Sequence, residues 1–377
     1  MRVYRHTPNS AKEWMTRLLA EGSSFVAYRL PGEEAGYAFG VEDVSKIDIS
    51  DFSPGRFKGS FVVAPFTLSE GAFALWPQAE PKKFLFLDEN VGCPPIQSFR
   101  LYEEATQLRN DYARSFRKIK DALDKGVADK VVLARKMEVS DVPKQILPEV
   151  FVTLCQAYTN AFVYFFDHPE VGRWMGASPE TFLNKVDNKI TTVALAATQK
   201  SEHQSEDWNL KELEEQGFVS TFVDEVLNNF GISDYQKRGP EPVIAGQMAH
   251  LRTSYRFDAA IVEERLGELL KLLHPTPAVG GYPKDKAIEL IQSSEHFDRS
   301  LYSGFLGPVF SNGFSFFVNI RSMELGNDNA VLYLGGGITR ESKEEAEWQE
   351  TRLKAHTLLS VLHSVKQNQC NESIRLR

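Results

Sequence analysis

Two hydrophobic rhythms alternate along the chain. Up to about residue 95, short apolar runs separated by glycine and proline dominate. SSFVAYRL, GYAFGV, GSFVVAPF, GAFALWP and KKFLFL each read as a strand. Residues 98–124 then place apolar and aromatic side chains at helical spacing, and Gly126 ends that helix. Strand-like runs return in VVLARKMEV after Lys130, in AFVYFFD at 161–167, in ITTVALAAT at 190–198 and in the stretch from Val243. Helical patterns at 208–230, 260–273 and 284–293 interleave with them, and Pro283 sits near the start of the last. Residues 231–242 are polar, contain Pro240 and Pro242, and read as a loop. Three further strands are expected at 302–309, 313–321 and 329–334, with an Asn312–Gly313 turn suggesting a meander. The pattern predicts an α/β protein without internal repeats.

The densest chemistry lies between Val331 and His356. An apolar run stops at Gly335–Gly337, and Ser342 with Glu345 reads as a capping box for a helix running to about Leu362. Glu347, Glu350 and Lys354 fall at i, i+3 and i+7, so one helical face carries two carboxylates and an amine. That face fits either a hard divalent cation bound with an anion or a solvated, salt-bridged helix. Residues 274–283 hold three prolines and two glycines, an irregular segment suited to forming a ligand wall. The Ala177–Ser178–Pro179–Glu180 turn is stiffened by its proline and presents Glu180 at a fixed angle. Lys130 stands at the mouth of its strand, and Lys211 and Glu215 fall at i and i+4 on a helix. Glu295 and Arg299 share that spacing, and Arg321 closes a strand with a guanidinium suited to a planar carboxylate.

Charge and cysteine usage narrow the classes. A net charge of −8 argues against a broad nucleic-acid surface but leaves room for a small anion bound through local bases and a metal. Three cysteines, Cys93, Cys155 and Cys370, are far apart and form neither a disulfide framework nor a metal signature, which fits a reducing cytoplasm. The N-terminal stretch lacks the apolar core of a signal peptide, and no apolar run is long enough to span a membrane. P-loop, HExxH, CxxC and GxSxG patterns are absent, and the Gly335–Gly337 run lacks the GxGxxG turn of a dinucleotide site.

Eight segments in one order carry a resemblance. They are KVVLAR at 130–135, GASPE at 176–180, LAAT at 195–198, KELEEQ at 211–216, HPTPAVGGYP at 274–283, EHFDRSLYSGFLG at 295–307, IR at 320–321, and GGGI to EWQETRLK at 335–354. Together they resemble the chorismate-utilising enzymes, in particular their isochorismate synthase branch. The resemblance spans about residues 110–365. It implies a large two-lobed α/β sandwich with extended, mostly antiparallel sheets around a central cleft. Residues 1–110 would form a strand-rich structural part of the same fold, 111–366 the catalytic region and 367–377 a polar tail.

The resemblance also implies roles. Lys130 matches the general base that activates water, and Glu180 the general acid. Glu215, Glu347 and Glu350 match carboxylates of a Mg²⁺ site. Arg321 and Lys354 match groups that meet substrate carboxylates. Thr198, His250, Ala278 and Gly337 match the lining of the chorismate pocket. The implied reaction adds water at C2 of chorismate with loss of the C4 hydroxyl, so both proton-transfer groups need pKa values displaced toward neutrality. Lys130 and Ala278 separate this pattern from the ammonia-using siblings, so no amidotransferase subunit is expected, and a monomer is. Salicylate synthase, which makes isochorismate and then eliminates pyruvate, is the alternative within the family. A non-catalytic scaffold is the alternative outside it, and the product could feed menaquinone or siderophore synthesis. One departure stands out: Ala197 occupies a position where the family commonly has glycine.

Overall fold

The computed structural model describes residues 10–86, 106–200, 208, 210–245 and 248–375, with backbone alone at 198–200, 245, 248 and 369–375. The expected helical stretch at 98–105, the polar run at 201–207 and Cys93 lie outside the described residues, as do the side chains of Thr198 and Cys370.

Among the described residues, seventeen strands build two sheets that share one long member, Ala35–Ile47. The first sheet runs in the order Lys82–Leu85, Ala35–Ile47, Phe25–Arg29, Phe162–His168, Gly172–Ser178, Ser322–Leu325, Asn329–Ile338, Lys130–Ser140 and Gly281–Tyr282. The second runs Ala35–Ile47, Ala72–Pro77, Phe61–Ala64, Phe305–Pro308, Gly313–Val318, Thr181–Val186, Lys189–Lys200, Met248–Asp258 and Tyr235–Ala245. Every one of these pairings is antiparallel.

Period-two alternation explains why the sheets stack and why helices cover them. Val26, Tyr28, Phe162, Tyr164 and Phe166 point into an aromatic layer between the sheets, with Phe61 and Phe317 from the second sheet. Their neighbours Phe25, Ala27, Val163 and Phe165 point the other way, onto the helices Ala11–Glu21, Leu147–Ala157 and Glu344–Arg375. On the far side, Val62, Ala64, Phe314 and Phe316 pack with the helices Leu210–Asn229 and Leu266–Leu273. A strand buried on both faces has no polar side, which is why these segments read as unbroken apolar runs. The result is a mixed α/β fold, helices outside and mostly antiparallel sheets within.

Several sequence expectations shift. The strand Asn329–Ile338 continues through all three glycines, pairing Gly337 with Val132 and Ile338 with Val131. Ser342 does not cap the following helix; its hydroxyl accepts from the Thr339 backbone N–H at 3.0 Å. Glu345 pairs instead with Arg109, and the helix extends to Arg375. The segment 231–242 is largely strand, not loop: among the described residues Tyr235–Ala245 pairs only with Met248–Asp258, so its prolines sit on an edge with a register shift between Arg238 and Glu241. The expected meander is broken, because Gly313–Val318 belongs to the second sheet and Ser322–Leu325 to the first. Arg321 lies at that crossing, with φ 51°.

Candidate active site

Where the chain passes between the sheets, a cleft opens. Glu180, Glu215, His250, Ala278, Arg321, Gly337 and Lys354 all line it, with Ala197, Tyr302 and Gly335 completing much of the wall. These residues come from distant parts of the chain, so only the fold assembles them.

Lys130 begins the Lys130–Ser140 strand and is fully buried beside Gly337. Its Nζ lies 2.9 Å from Glu215 Oε1. A side chain at position 337 would intrude on this pair: a Cβ there would stand 2.5 Å from Glu215 Oε1 and 2.9 Å from Lys130 Cε. Glycine is therefore a packing requirement at 337.

Glu180 follows the Pro179 turn. Its backbone carbonyl accepts from the Val318 N–H at 3.0 Å and its N–H meets Ser178 Oγ at 3.3 Å, tying the turn to both neighbouring strands. The residue is 3% exposed, and among the described residues its Oε1 has no hydrogen-bond partner. Burial pushes its pKa up to about 8, against the opposing pull of Lys130 and Lys354. The group is thus mostly a neutral acid at pH 7, aimed into the cleft.

His250 is buried and donates from Nδ1 to the Ala197 carbonyl at 2.9 Å. Burial, reinforced by Arg321, lowers its pKa to about 4, so the ring is neutral. The bond fixes an unusual backbone. Ala197 has φ 61°, a left-handed conformation at a strand irregularity between Ala196 and Gln199. Glycine adopts that conformation readily, and alanine does so at a cost. Gln216, next to Glu215, donates to the Ala194 carbonyl at 3.2 Å and to Thr253 Oγ1 at 3.0 Å, so the helix is held to the same strand.

The helix Glu344–Arg375 contributes the remaining carboxylates. Trp348 anchors it: the guanidinium of Arg135 lies 4.1 Å from the ring centroid and that of Arg109 5.1 Å, with Arg135 Nε also bonded to Thr351. Glu347 is 1% exposed and bonds Lys211; its Oε2 has no hydrogen-bond partner. Burial, with Glu350 nearby, raises the Glu347 pKa. Glu350 pairs with Lys354 at 2.7 Å. Burial would raise its pKa, but Lys354 and Lys211 outweigh that and lower it. Lys354 also donates to the Gly335 carbonyl at 2.8 Å. Arg321 bonds Thr357 at 2.8 Å through Nη1, and its guanidinium lines the cleft.

Among the described residues, no three acidic, histidine or cysteine side chains converge tightly enough to encircle a metal. The three glutamates instead each hold a lysine. Their chemistry still suits a hard cation: all donors are oxygens, one buried carboxylate oxygen is orphaned, and a Cβ at Gly336 would stand 3.6 Å from Glu347 Oε2 and 3.7 Å from Glu350 Oε1. Sequence reasoning had Lys211 only as a helical neighbour of Glu215, and nothing in local spacing announced its reach to Glu347. No helix among the described residues is long and apolar enough to cross a membrane.

Comparison with known proteins places the chain in a family. A family model described as chorismate binding enzyme matches residues 76–363. The vibriobactin-specific isochorismate synthase of Vibrio cholerae is 28% identical over 241 residues, covering 61% of each chain. Isochorismate synthase EntC of Escherichia coli is 30% identical over 248 residues, covering 62% of each. The chain thus aligns with about three-fifths of the length of these relatives. The structure of MenF, the menaquinone-specific isochorismate synthase from E. coli, superposes with a TM-score of 0.72 at 19% identity, over 95% of this chain and 92% of that one, which establishes the shared fold. The chain belongs to the chorismate-binding enzyme family.

Proposed function

We propose that this protein isomerises chorismate to isochorismate, with Lys130 as general base and Glu180 as general acid. The observation that carries the reading is the Glu180 carboxyl: buried in the cleft wall and unpartnered at Oε1, a setting that raises its pKa. A carboxylic acid held neutral there is a proton donor for a leaving hydroxyl.

In this reading Lys130 takes a proton from water as its oxygen bonds to C2. The ring double bonds shift, the C4–O bond breaks, and Glu180 donates its proton so that the hydroxyl leaves as water. One water enters and one departs, so the product is an isomer. Arg321 receives a substrate carboxylate, and Lys354, Ala278 and Gly337 complete the pocket. His250, neutral and bonded to the Ala197 carbonyl, shapes its wall. Glu215, Glu347 and Glu350 would hold Mg²⁺, which would neutralise and orient the substrate's ring carboxylate.

A product assay tests this. Purified protein with chorismate and Mg²⁺ should give isochorismate without pyruvate, and ammonium should yield no amino product. Lys130→Ala should abolish turnover while the fold persists. Salicylate and pyruvate in equal amounts would instead establish the lyase alternative, and a folded, Mg²⁺-loaded protein that leaves chorismate unchanged would defeat the catalytic reading.

A further inference from the structure

We propose that Lys211 is a tethered competitor for the divalent cation: its ammonium sits in the carboxylate cluster while the cation is absent and leaves Glu347 when the cation binds. The inference rests on the reading of Glu215, Glu347 and Glu350 as the cation site.

Three lysines meet these three glutamates. Two have other engagements. Lys130 is the candidate base, and Lys354 also bonds the Gly335 carbonyl. Lys211 is different. It lies one turn ahead of Glu215 on the same helix, a spacing at which lysine and glutamate ordinarily pair along the surface. Here Glu215 is taken by Lys130, and Lys211 reaches across to Glu347, 136 residues further on.

Its destination is the most deeply buried of the three carboxylates. Glu347 is 1% exposed, and its second oxygen has no hydrogen-bond partner. A cation beside a buried carboxylate stabilises its charged form, and here that cation is the Lys211 ammonium. Glu350 and Glu215 also act electrostatically on Lys211, which locates its charge within the cluster as a whole. A divalent cation would answer the same need. The two cannot share the place, because like charges this close repel and because both draw on Glu347.

The experiment measures cation binding without chorismate, on the full chain. Mg²⁺ is titrated by calorimetry and Mn²⁺ by electron paramagnetic resonance into wild type, Lys211→Met and Lys211→Arg. Methionine keeps the apolar stem and removes the charge. Lys211→Met should bind Mg²⁺ about tenfold more tightly than wild type, and Lys211→Arg should stay within about threefold of it. Without metal, Lys211→Met should melt below wild type, and saturating Mg²⁺ should close that gap. Lys211→Gln, measured alongside, carries the same expectation should the methionine variant fail to fold. Unchanged or weaker binding in the neutral variants overturns the proposal, as does the absence of cation binding in every protein. The product assay on wild type is separate: isochorismate formation with unaltered cation affinity in the variants would remove this role and leave the activity intact.

Discussion

Replacing Glu180 with glutamine isolates the property on which the proposed chemistry depends. The substitution preserves shape and removes ionisation. In the wild-type fold the carboxyl has its pKa raised from 4.5 to about 8, chiefly by burial. A group whose folded pKa is raised favours the native state fully below its unfolded pKa, and that advantage is lost as pH climbs toward the folded value. The window therefore runs from about pH 4.5 to pH 8. Each unit within it is worth about 1.4 kcal/mol, so the wild type should lose roughly 3 kcal/mol between pH 5 and 7.5 through this residue alone. Glutamine does not titrate. The stability of Glu180→Gln relative to wild type should thus rise by about that amount across the same interval, as read by urea unfolding at a series of pH values.

Turnover should move the opposite way. Glutamine cannot give up a proton to the leaving hydroxyl, so kcat should fall by about 10²- to 10⁴-fold, with native circular dichroism retained. In wild type, kcat/KM should decline above about pH 8 as Glu180 ionises. Parallel pH–stability curves for the two proteins would show that Glu180 is ionised in the fold already. Comparable turnover would show that its proton is not used. Either result refutes the reasoning.

Other positions give sharper contrasts. Gly337→Ala should cut turnover by about 100-fold, because the added methyl drives apart Glu215 and Lys130, whereas Gly336→Ala meets nothing nearer than 3.6 Å and should shift stability by less than about 1 kcal/mol; calorimetric melting and the product assay check both. Ala197→Gly should stabilise the protein by about 0.5–1 kcal/mol in urea unfolding, because it relieves a left-handed alanine at φ 61°, and a loss of similar size would count against that strain. Glu295→Gln should cost about 3–5 kcal/mol in the same measurement, since it leaves the buried Arg299 charge without its partner.

Much of the fold was legible because its strands are buried on alternating faces. The expected runs within 25–85 and at 130–140 emerged as strands, and the helical patterns expected at 98–124 and 208–230 emerged, among the described residues, as the helices Thr106–Asp124 and Leu210–Asn229. What escaped was local chemistry overruled by context. The helix Ala11–Glu21 was passed over although Ser10 and Glu13 are spaced as a cap, and the Ser10 side chain does accept from the Glu13 N–H at 3.1 Å. The helix Leu147–Ala157 is so thoroughly buried that apolar residues surround it, which erases the stripe that marks a helix. Pro240 and Pro242 suggested a loop because the rule against proline in sheets does not hold at an edge. Within the site, residue types were readable and partnerships were not. The left-handed turn at Arg321 follows from a change of sheet, and the Lys211–Glu347 contact joins two helices far apart in the chain.

The cleft's walls share a brace that makes no claim on the chemistry. Glu295 and Arg299 face each other at helical spacing, yet the segment is not helical; the pair holds because it is bidentate, with Nε to Oε2 at 2.8 Å and Nη2 to Oε1 at 2.5 Å, and because both ends are fully engaged. Glu295 Oε1 also accepts from the Ala134 N–H, while Arg299 donates to the carbonyls of Val132 and Val279, each at 2.8 Å. Val132 lies on the strand that begins with Lys130, and Val279 in the proline-glycine wall; both line the cleft. One ion pair therefore sets the spacing of two walls that sequence places about 150 residues apart. Taking two charges out of water to do this gains little net stability. Its effect is positional: an apolar pair of the same volume could fill the space, but it could not hold two backbone carbonyls and an amide at fixed hydrogen-bond lengths on either side of the reacting groups.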